Sequence, residues 1–455
     1  MSDSQEPDPG VAGASYPRRE FLGRTGKVVA ATALAGSFAG AAQAKLGSGS
    51  RAAAGELDVW YLTTSPSELR YVTKLTQRFG GGQKLTRTSV TPYDFTPMKR
   101  SLQLALSAGS GPDVAYSSPG PDDSFVFQKN GWILDLNPYA QKYRWLNRMP
   151  PAIANYWNNL CCGGNIPRTG IPWDVVTVGF YYNPTIFARH GLRVPTTYDQ
   201  LISVFQRLKA NGVIPFAAGG LVLANPGALH YVFEQHVHAL VPEATIKRWL
   251  LRDPSASFAI PGVVEALRLA QDWVRRGYLQ PNVLATSGVD ADALFVNGQA
   301  AMVLNGTWKT GTYLQSGSFK PGFFAFPRIN QKIPWRMGGY SPNNQWMISA
   351  FARDKALAAR YIDYMVGSRA AMSLWANSSI PAFRFKKPPK PTSQVQADVV
   401  AAMGKTEPGY YLATVGGVFQ AQFRPTLAKL FSLSATPQEV AQELQENYTK
   451  SVRGG

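Results

Sequence analysis

The run Gly170-Ile171-Pro172-Trp173-Asp174-Val175-Val176-Thr177-Val178-Gly179-Phe180-Tyr181-Tyr182-Asn183 limits more than any other what this chain can fold into. It is too long and too apolar for a surface loop, and its β-branched and aromatic residues suit an extended, buried backbone. It reads as one strand that leaves one folded unit and enters another. A second apolar crossing is expected over Gly338 to Ser349. Repeated crossings between two units are what a hinged cleft requires.

The rest of the chain agrees with two units, since 455 residues suffice for two cores of ordinary size. Strand and helix patterns alternate: Leu57 to Leu62, Lys84 to Thr91, Pro112 to Tyr116, Ile214 to Ala218 and Gln299 to Leu304 read as strands. Pro66 to Gly80, Pro97 to Ala108, Thr197 to Ala210, Gly227 to Leu240, Val263 to Arg276 and Lys355 to Gly367 read as helices. Such alternation predicts an α/β fold with largely parallel sheets. Ligands of such sheets sit beyond the carboxyl ends of the strands, so two facing lobes place their site at the shared cleft. The expected boundaries are 57–175 with 299–339 for the first lobe, and 176–298 with 340–455 for the second.

Residues 1–44 have the pattern of an export signal: a polar lead, Pro17-Arg18-Arg19-Glu20-Phe21-Leu22, a weakly apolar Val28 to Ala41, then Ala42-Gln43-Ala44. The paired arginines before Phe-Leu resemble a twin-arginine signal, which predicts a location in the periplasm or outside the cell. Ser37 stands where a lipid-anchored precursor would carry Cys, so a mature chain starting near Lys45 without lipid is expected, after a linker over 45–56. Charges within the signal cancel, and the formal net charge of +18 belongs to the remainder. That balance favours anionic surroundings without choosing among them.

Cys161 and Cys162 are adjacent and give no disulfide framework. A strained bridge and two small buried thiols both remain open for them. His230, Glu234 and His238 can share one helix face, but without a further ligand in spacing the reading is a hydrogen-bonded or solvated face and no metal. The basic, proline-rich run Arg384 to Pro391 reads as an exposed loop of polyproline character.

Ala300 to Trp308 reads as an apolar strand, an Asn305-Gly306 turn and a large flat ring at a cleft mouth. With Gly111-Pro112-Asp113-Val114, Gly131 to Leu136, the 170–183 crossing with Arg189 to Leu192 and Pro195 to Asp199, and Phe295 to Trp308, the chain resembles family 1 extracellular solute-binding proteins of carbohydrate ABC importers. The order and spacing of these segments carry the likeness. It implies a periplasmic-binding-protein-like fold, two α/β lobes joined by crossing strands that close over a sugar. The implied partners are a carbohydrate ligand and the membrane permease subunits of an importer with its cytoplasmic ATPase. A monomer is expected, with no cofactor, no metal and no nucleic acid.

On the same resemblance Trp308 matches the stacking tryptophan and Asp122 a sugar-hydroxyl acceptor. Trp173 and Asp174 lie at the first crossing, Tyr340, Asn343 and Asn344 at the last, and Thr64 and Ser65 end the first strand. Many relatives carry Trp where Gly227 stands here, with Asn225 and His230 nearby, which leaves the second lobe's platform open and Trp346 as a substitute.

Sugars present an apolar face and a rim of hydroxyls, matched by aromatic planes and planar Asp, Asn and Gln side chains. A chain rich in aromatics and poor in carboxylates suits binding. A glycosidase needs two carboxylates across the scissile bond, for which only Asp122 and Asp174 offer themselves. No nucleophile elbow, phosphate loop or dinucleotide fingerprint is present. A polyanion binder is disfavoured by the scatter of the cations, while a uronate or glycerol phosphate is the alternative ligand within the importer family.

Overall fold

The computed structural model describes residues 55–63, 66–119, 124–157, 168–221, 227–316, 318–342 and 344–453. The signal segment, most of the linker, Cys161 and Cys162 lie outside them. From the start, β1 (Glu56–Leu62), β2 (Arg87–Tyr93) and β3 (Val114–Ser117) are laid down in parallel, with β1 in the middle. The Pro66–Gly82 helix makes the return from β1 to β2, burying Tyr71, Val72, Leu75 and Phe79 at helical spacing. Asp113, from the Gly-Pro-Asp-Val segment, is buried as a structural clasp. Its carboxylate accepts the Asp58 N–H at 2.8 Å and the Arg353 N–H at 2.9 Å, and pairs with the Arg353 guanidinium at 2.5 Å. Three distant parts of the chain are thereby tied at one strand end.

The 170–183 run is indeed one extended crossing, but it divides among three sheets. Its pieces are β4 (Ile171–Pro172), β5 (Asp174–Val176) and β6 (Val178–Tyr182). Beyond it come β7 (Ile214–Ala217), β8 (Ala300–Gly306), β9 (Gly322–Phe324) and β10 (Arg336–Met337). The chain then returns through β11 (Ser341–Pro342), β12 (Gln345–Ile348) and β13 (Ile380–Pro381), and β14 (Glu407–Pro408) follows late.

The first lobe's sheet has the order β2-β1-β3-β12-β4 and the second lobe's the order β7-β8-β6-β9. Both are mixed rather than largely parallel. The crossing strands enter each sheet from the far side, so β12 runs antiparallel to β3 and β4, and β6 antiparallel to β8 and β9. Each lobe has its own core, one built on Leu57, Val59, Val114, Trp346 and Ile362, the other on Phe180, Phe205, Phe216, Trp273 and Leu304.

Strand pairing corrects the expected boundaries at two places. Residues 300–306, assigned by sequence to the first lobe, pair with β6 and β7 in the second. Residues 345–348, assigned to the second, pair with β3 and β4 in the first. An apolar strand fits either core, and periodicity does not say which sheet receives it. The chain therefore passes from first lobe to second near Val176, back near Ser341, and across again after Ala382.

All three crossings meet in a small antiparallel sheet, β11-β5-β13. Gln235, buried on the His230–Leu240 helix, binds two of the crossing segments at once. Its Nε2 donates to Val178 O at 3.0 Å and Gly338 O at 3.1 Å, and its Oε1 accepts from Gly338 N at 3.0 Å. Thr177 exchanges bonds with Thr307, donating its N–H to Oγ1 at 3.2 Å and accepting from the Thr307 N–H at 2.9 Å. The basic proline-rich run is the connection of the third crossing, with Lys386, Lys387 and Lys390 exposed.

Candidate functional site

Strand β8 is buried along its whole length and ends at Gly306, so the expected Asn305-Gly306 turn does not form. A 3-10 turn, Thr307–Lys309, follows instead and presents Trp308 half-buried. The turn is set by a buried polar knot. Asn305 Nδ2 donates to Asp292 Oδ1 at 3.2 Å and to the Tyr313 hydroxyl at 3.0 Å, while Asn305 Oδ1 accepts from Gly306 N at 2.8 Å. Lys309 Nζ pairs with Asp292 Oδ2 at 2.8 Å. The indole rests against Gly306, where any Cβ would come within 2.0 Å of the ring. A side chain at 306 would displace the indole from this position.

Two tyrosines extend this ring into a wall. Tyr231 lies 6.1 Å from Trp308 between ring centroids, and Tyr411 lies 6.1 Å from Tyr231. Tyr411 in turn packs on Gly339 in the return crossing, where φ is +68° and a Cβ would meet the ring at 2.8 Å. The wall thus runs from the carboxyl end of β8 to the return crossing.

Neither tyrosine was found from sequence, though Gly227 held the signal. A Cβ at Gly227 would stand 2.1 Å from Gly219 Cα, so no tryptophan fits there. The close approach of Gly219 and Gly227 brings the start of the His230–Leu240 helix against the end of β7, and Tyr231 on that helix is the ring that meets Trp308. A surface hollow of about 460 Å³ beside Lys209, Ile214 and Pro281 lies at the opposite end of β7.

On the first lobe, Tyr61, Tyr116, Trp173 and Trp346 form a ring cluster, with Tyr61 stacked on Tyr116 at 4.9 Å and Trp173 at 5.3 Å from Trp346. Trp173 is 1% exposed and its indole N–H donates to Met365 O at 2.6 Å, which corrects its placement among ligand contacts. It is a core residue, and so is fully buried Trp346. Alternation along the crossing turns Trp173 inward and leaves Asp174 half-buried at its edge, accepting the Tyr116 hydroxyl at 2.6 Å. Burial and the neighbouring Asp174 raise the Tyr116 phenol well above its usual range.

Asn344 reaches the carboxyl end of β3, accepting from Ser118 Oγ at 3.4 Å. Tyr340 is half-buried where the first lobe's core meets the packing of β9 and β10. Asp174, Tyr340 and Asn344 each lie in or next to a crossing segment. Thr64, Ser65, Asp122, Asn225 and Asn343 lie outside the described residues.

The face carrying His230, Glu234 and His238 is buried, which excludes the solvated form of the sequence reading. His238 Nε2 accepts from Tyr410 N at 2.6 Å, and His236 Nδ1 donates to Val232 O at 2.6 Å. Burial pushes the imidazole of His238 down to about 3 and that of His236 to about 4, and raises the Glu234 carboxyl to about 8. Among the described residues no group of three His, Cys, Asp or Glu side chains is placed to hold a metal ion.

The sequence profile of bacterial extracellular solute-binding proteins matches residues 67–372, from the first helix past the return crossing. The chain belongs to that family. Relatives of this solute-binding protein include a multiple sugar-binding protein of Streptococcus mutans, 26% identical over 280 residues, covering 59% of this chain and 62% of that one. A probable sugar-binding periplasmic protein of Brucella suis is 25% identical over 229 residues, 49% of each chain. The solute-binding protein spans half to three fifths of the length of these two relatives.

Among solved structures, a chitin oligosaccharide binding protein superposes with a TM-score of 0.76 at 20% identity, covering 88% of this chain and 99% of that one. A binding protein in complex with raffinose gives 0.69 at 19% identity, covering 87% and 99%. These two likenesses establish the fold of two α/β lobes.

Proposed function

We propose that this solute-binding protein captures a sugar or oligosaccharide between its lobes and delivers it to the membrane permease of an ABC importer with a cytoplasmic ATPase. The aromatic wall Trp308-Tyr231-Tyr411 at the carboxyl edge of the second sheet carries the reading. Ring planes stack on the apolar face of a pyranose, and Asp174, Asn344 and Tyr340 bring polar atoms to the opposite edge for its hydroxyls. Thr64, Ser65, Asp122, Asn225 and Asn343 are the further contacts expected from the family pattern. The sugar-binding names of the relatives support the same class. The protein binds its ligand without transforming it.

Export by the twin-arginine route, maturation near Lys45 without a lipid and action as a monomer belong to the same reading. Three crossings gathered in one small sheet suit a hinge about which rigid lobes close.

Thermal-shift screening of the purified mature chain against neutral mono- and oligosaccharides, uronates and glycerol phosphates tests the class. A ligand at a hundredfold excess over its Kd stabilises the fold by about 2.7 kcal/mol. Absence of any shift across the sugars, neutral and acidic alike, would sink the reading.

A further inference from the structure

We infer that Asp292 is a positioning residue for sugar binding, which holds Trp308 as a preformed stacking plane before any ligand arrives. This rests on the reading of Trp308 as the sugar-stacking ring. Asp292 lies on the Gly288–Val296 helix, which leads through a short turn into β8, and it is 8% exposed.

Its one carboxylate gathers residues from both sides of Trp308. Oδ1 accepts from Asn305 Nδ2, upstream of the ring, at 3.2 Å and from the Tyr313 hydroxyl, downstream of it, at 2.5 Å. Oδ2 pairs with Nζ of Lys309, the next residue after the ring, at 2.8 Å. Tyr313 is itself clamped in the core, with its ring edge-on to Tyr181 at 4.8 Å and to Phe295 at 5.3 Å. The carboxylate is therefore tied to a rigid base.

The flanking residues complete the hold. Thr307 is bonded to Thr177, the Thr310 hydroxyl lies 2.6 Å from that of Tyr181, and Gly306 donates its N–H to Asn305 Oδ1. Residues 305, 306, 307, 309 and 310 are thus each fixed by a hydrogen bond or ion pair, and the indole between them rests against Gly306.

Burying a charge costs free energy that an apolar side chain at 292 would avoid. Three donors offset that cost here, and their directions fix the turn where apolar packing alone would let it rotate. Asp292 acts through the turn and not on the sugar, because the residue is buried and both of its oxygens are engaged. A ring already in position spares the sugar the ordering of a loose indole, worth about two- to tenfold in affinity.

Fluorine NMR on the mature chain labelled with 5-fluorotryptophan reads the ring without any ligand. The chain has 11 tryptophans, and the Trp308 line is the one missing from Trp308→Phe. In Asp292→Ala that line should move toward the position of the free amino acid while the others hold. Asp292→Asn keeps an oxygen for Tyr313 and Asn305 but turns an amide on Lys309; it should move the line less, and it carries the test if the alanine variant does not fold. An unmoved Trp308 line in the folded variants, or movement of most lines together, would overturn the positioning role.

Calorimetry with the sugar that gives the largest thermal shift supplies the second arm. Asp292→Ala should lose about two- to tenfold in affinity in the wild-type background and nothing further in the Trp308→Ala background. Equal loss in both backgrounds, or no loss in the first, overturns the inference and leaves the stacking site standing. Wild-type affinity in Trp308→Ala alone defeats the stacking site itself, whatever the fluorine lines show.

Discussion

Replacing Gln235 by Leu removes the clasp that holds two crossing segments together, and the structure sets the size of the effect. Three hydrogen bonds go: two from Nε2 to the carbonyls of Val178 and Gly338, and one from the Gly338 N–H to Oε1. The Gly338 carbonyl keeps the Val178 N–H at 3.4 Å, so two groups lose their partner, the Val178 C=O and the Gly338 N–H. Both residues are buried, and water does not replace what is lost. Each orphaned buried group costs about 1–3 kcal/mol, and Leu regains part through its apolar burial, which leaves about 3 kcal/mol of net destabilisation. Urea unfolding of ligand-free wild type and Gln235→Leu at pH 7 measures it. A loss below about 1 kcal/mol would show that the crossings are held by their strand pairing and not by this side chain.

Trp308→Ala should weaken sugar binding by roughly 1–3 kcal/mol through lost ring contact while the fold survives, since the residue is only half-buried; equal affinity by calorimetry removes it from the site. Saturating ligand should reduce the radius of gyration in small-angle scattering, and an unchanged profile with confirmed binding rejects the hinge. Lys at both Arg18 and Arg19 should leave precursor in the cytoplasm, whereas normal export refutes the twin-arginine route. Stability should fall as pH drops below about 6.5, because His230, His236 and His238 are held neutral in the fold but take up protons when unfolded. Glu234, whose folded value is raised to about 8, works in the opposite direction between its ordinary value and that pH. Three histidines against one glutamate leave a net two protons, at most roughly 2.7 kcal/mol per pH unit in mildly acid solution; a flat melting temperature from pH 6.5 to 5 contradicts this burial.

The crossing strand was legible because its length and apolarity have no other use, and the strands and helices appear close to their expected places. What periodicity does not carry is partner choice. Residues 300–306 and 345–348 are uniformly buried strands, so nothing in their pattern records which sheet they join, and both were assigned to the wrong lobe. Trp308 was singled out because it follows such a strand, and the structure adds that it is half-buried and 6.1 Å from Tyr231. Trp173 was misread for the opposite reason: nearness to the hinge in sequence says nothing of which face the ring takes, and Met365 O receives its N–H inside the core. Tyr231 and Tyr411 join the wall only through the contacts of Gly227 with Gly219 and of Gly339 with Tyr411, which are distant along the chain.

Those contacts also decide which parts move together. Tyr231 and Gln235 are four residues apart on one helix, so the residue that meets Trp308 and the residue that clasps Val178 and Gly338 share a face. Thr307, next to Trp308, is bonded to Thr177 in the first crossing, and Tyr411 rests on Gly339 in the second. The aromatic wall is therefore fixed to the crossing segments at three points, all on the second-lobe side. A ligand seated on that wall does not need to shift it relative to the crossings. On the proposed reading, closure then moves the first lobe, with Asp174 and Asn344 at its edge, toward a sugar already held by the second. The polar contacts of the first lobe would form only in the closed state, and they are the ones that can make closure depend on which sugar is bound.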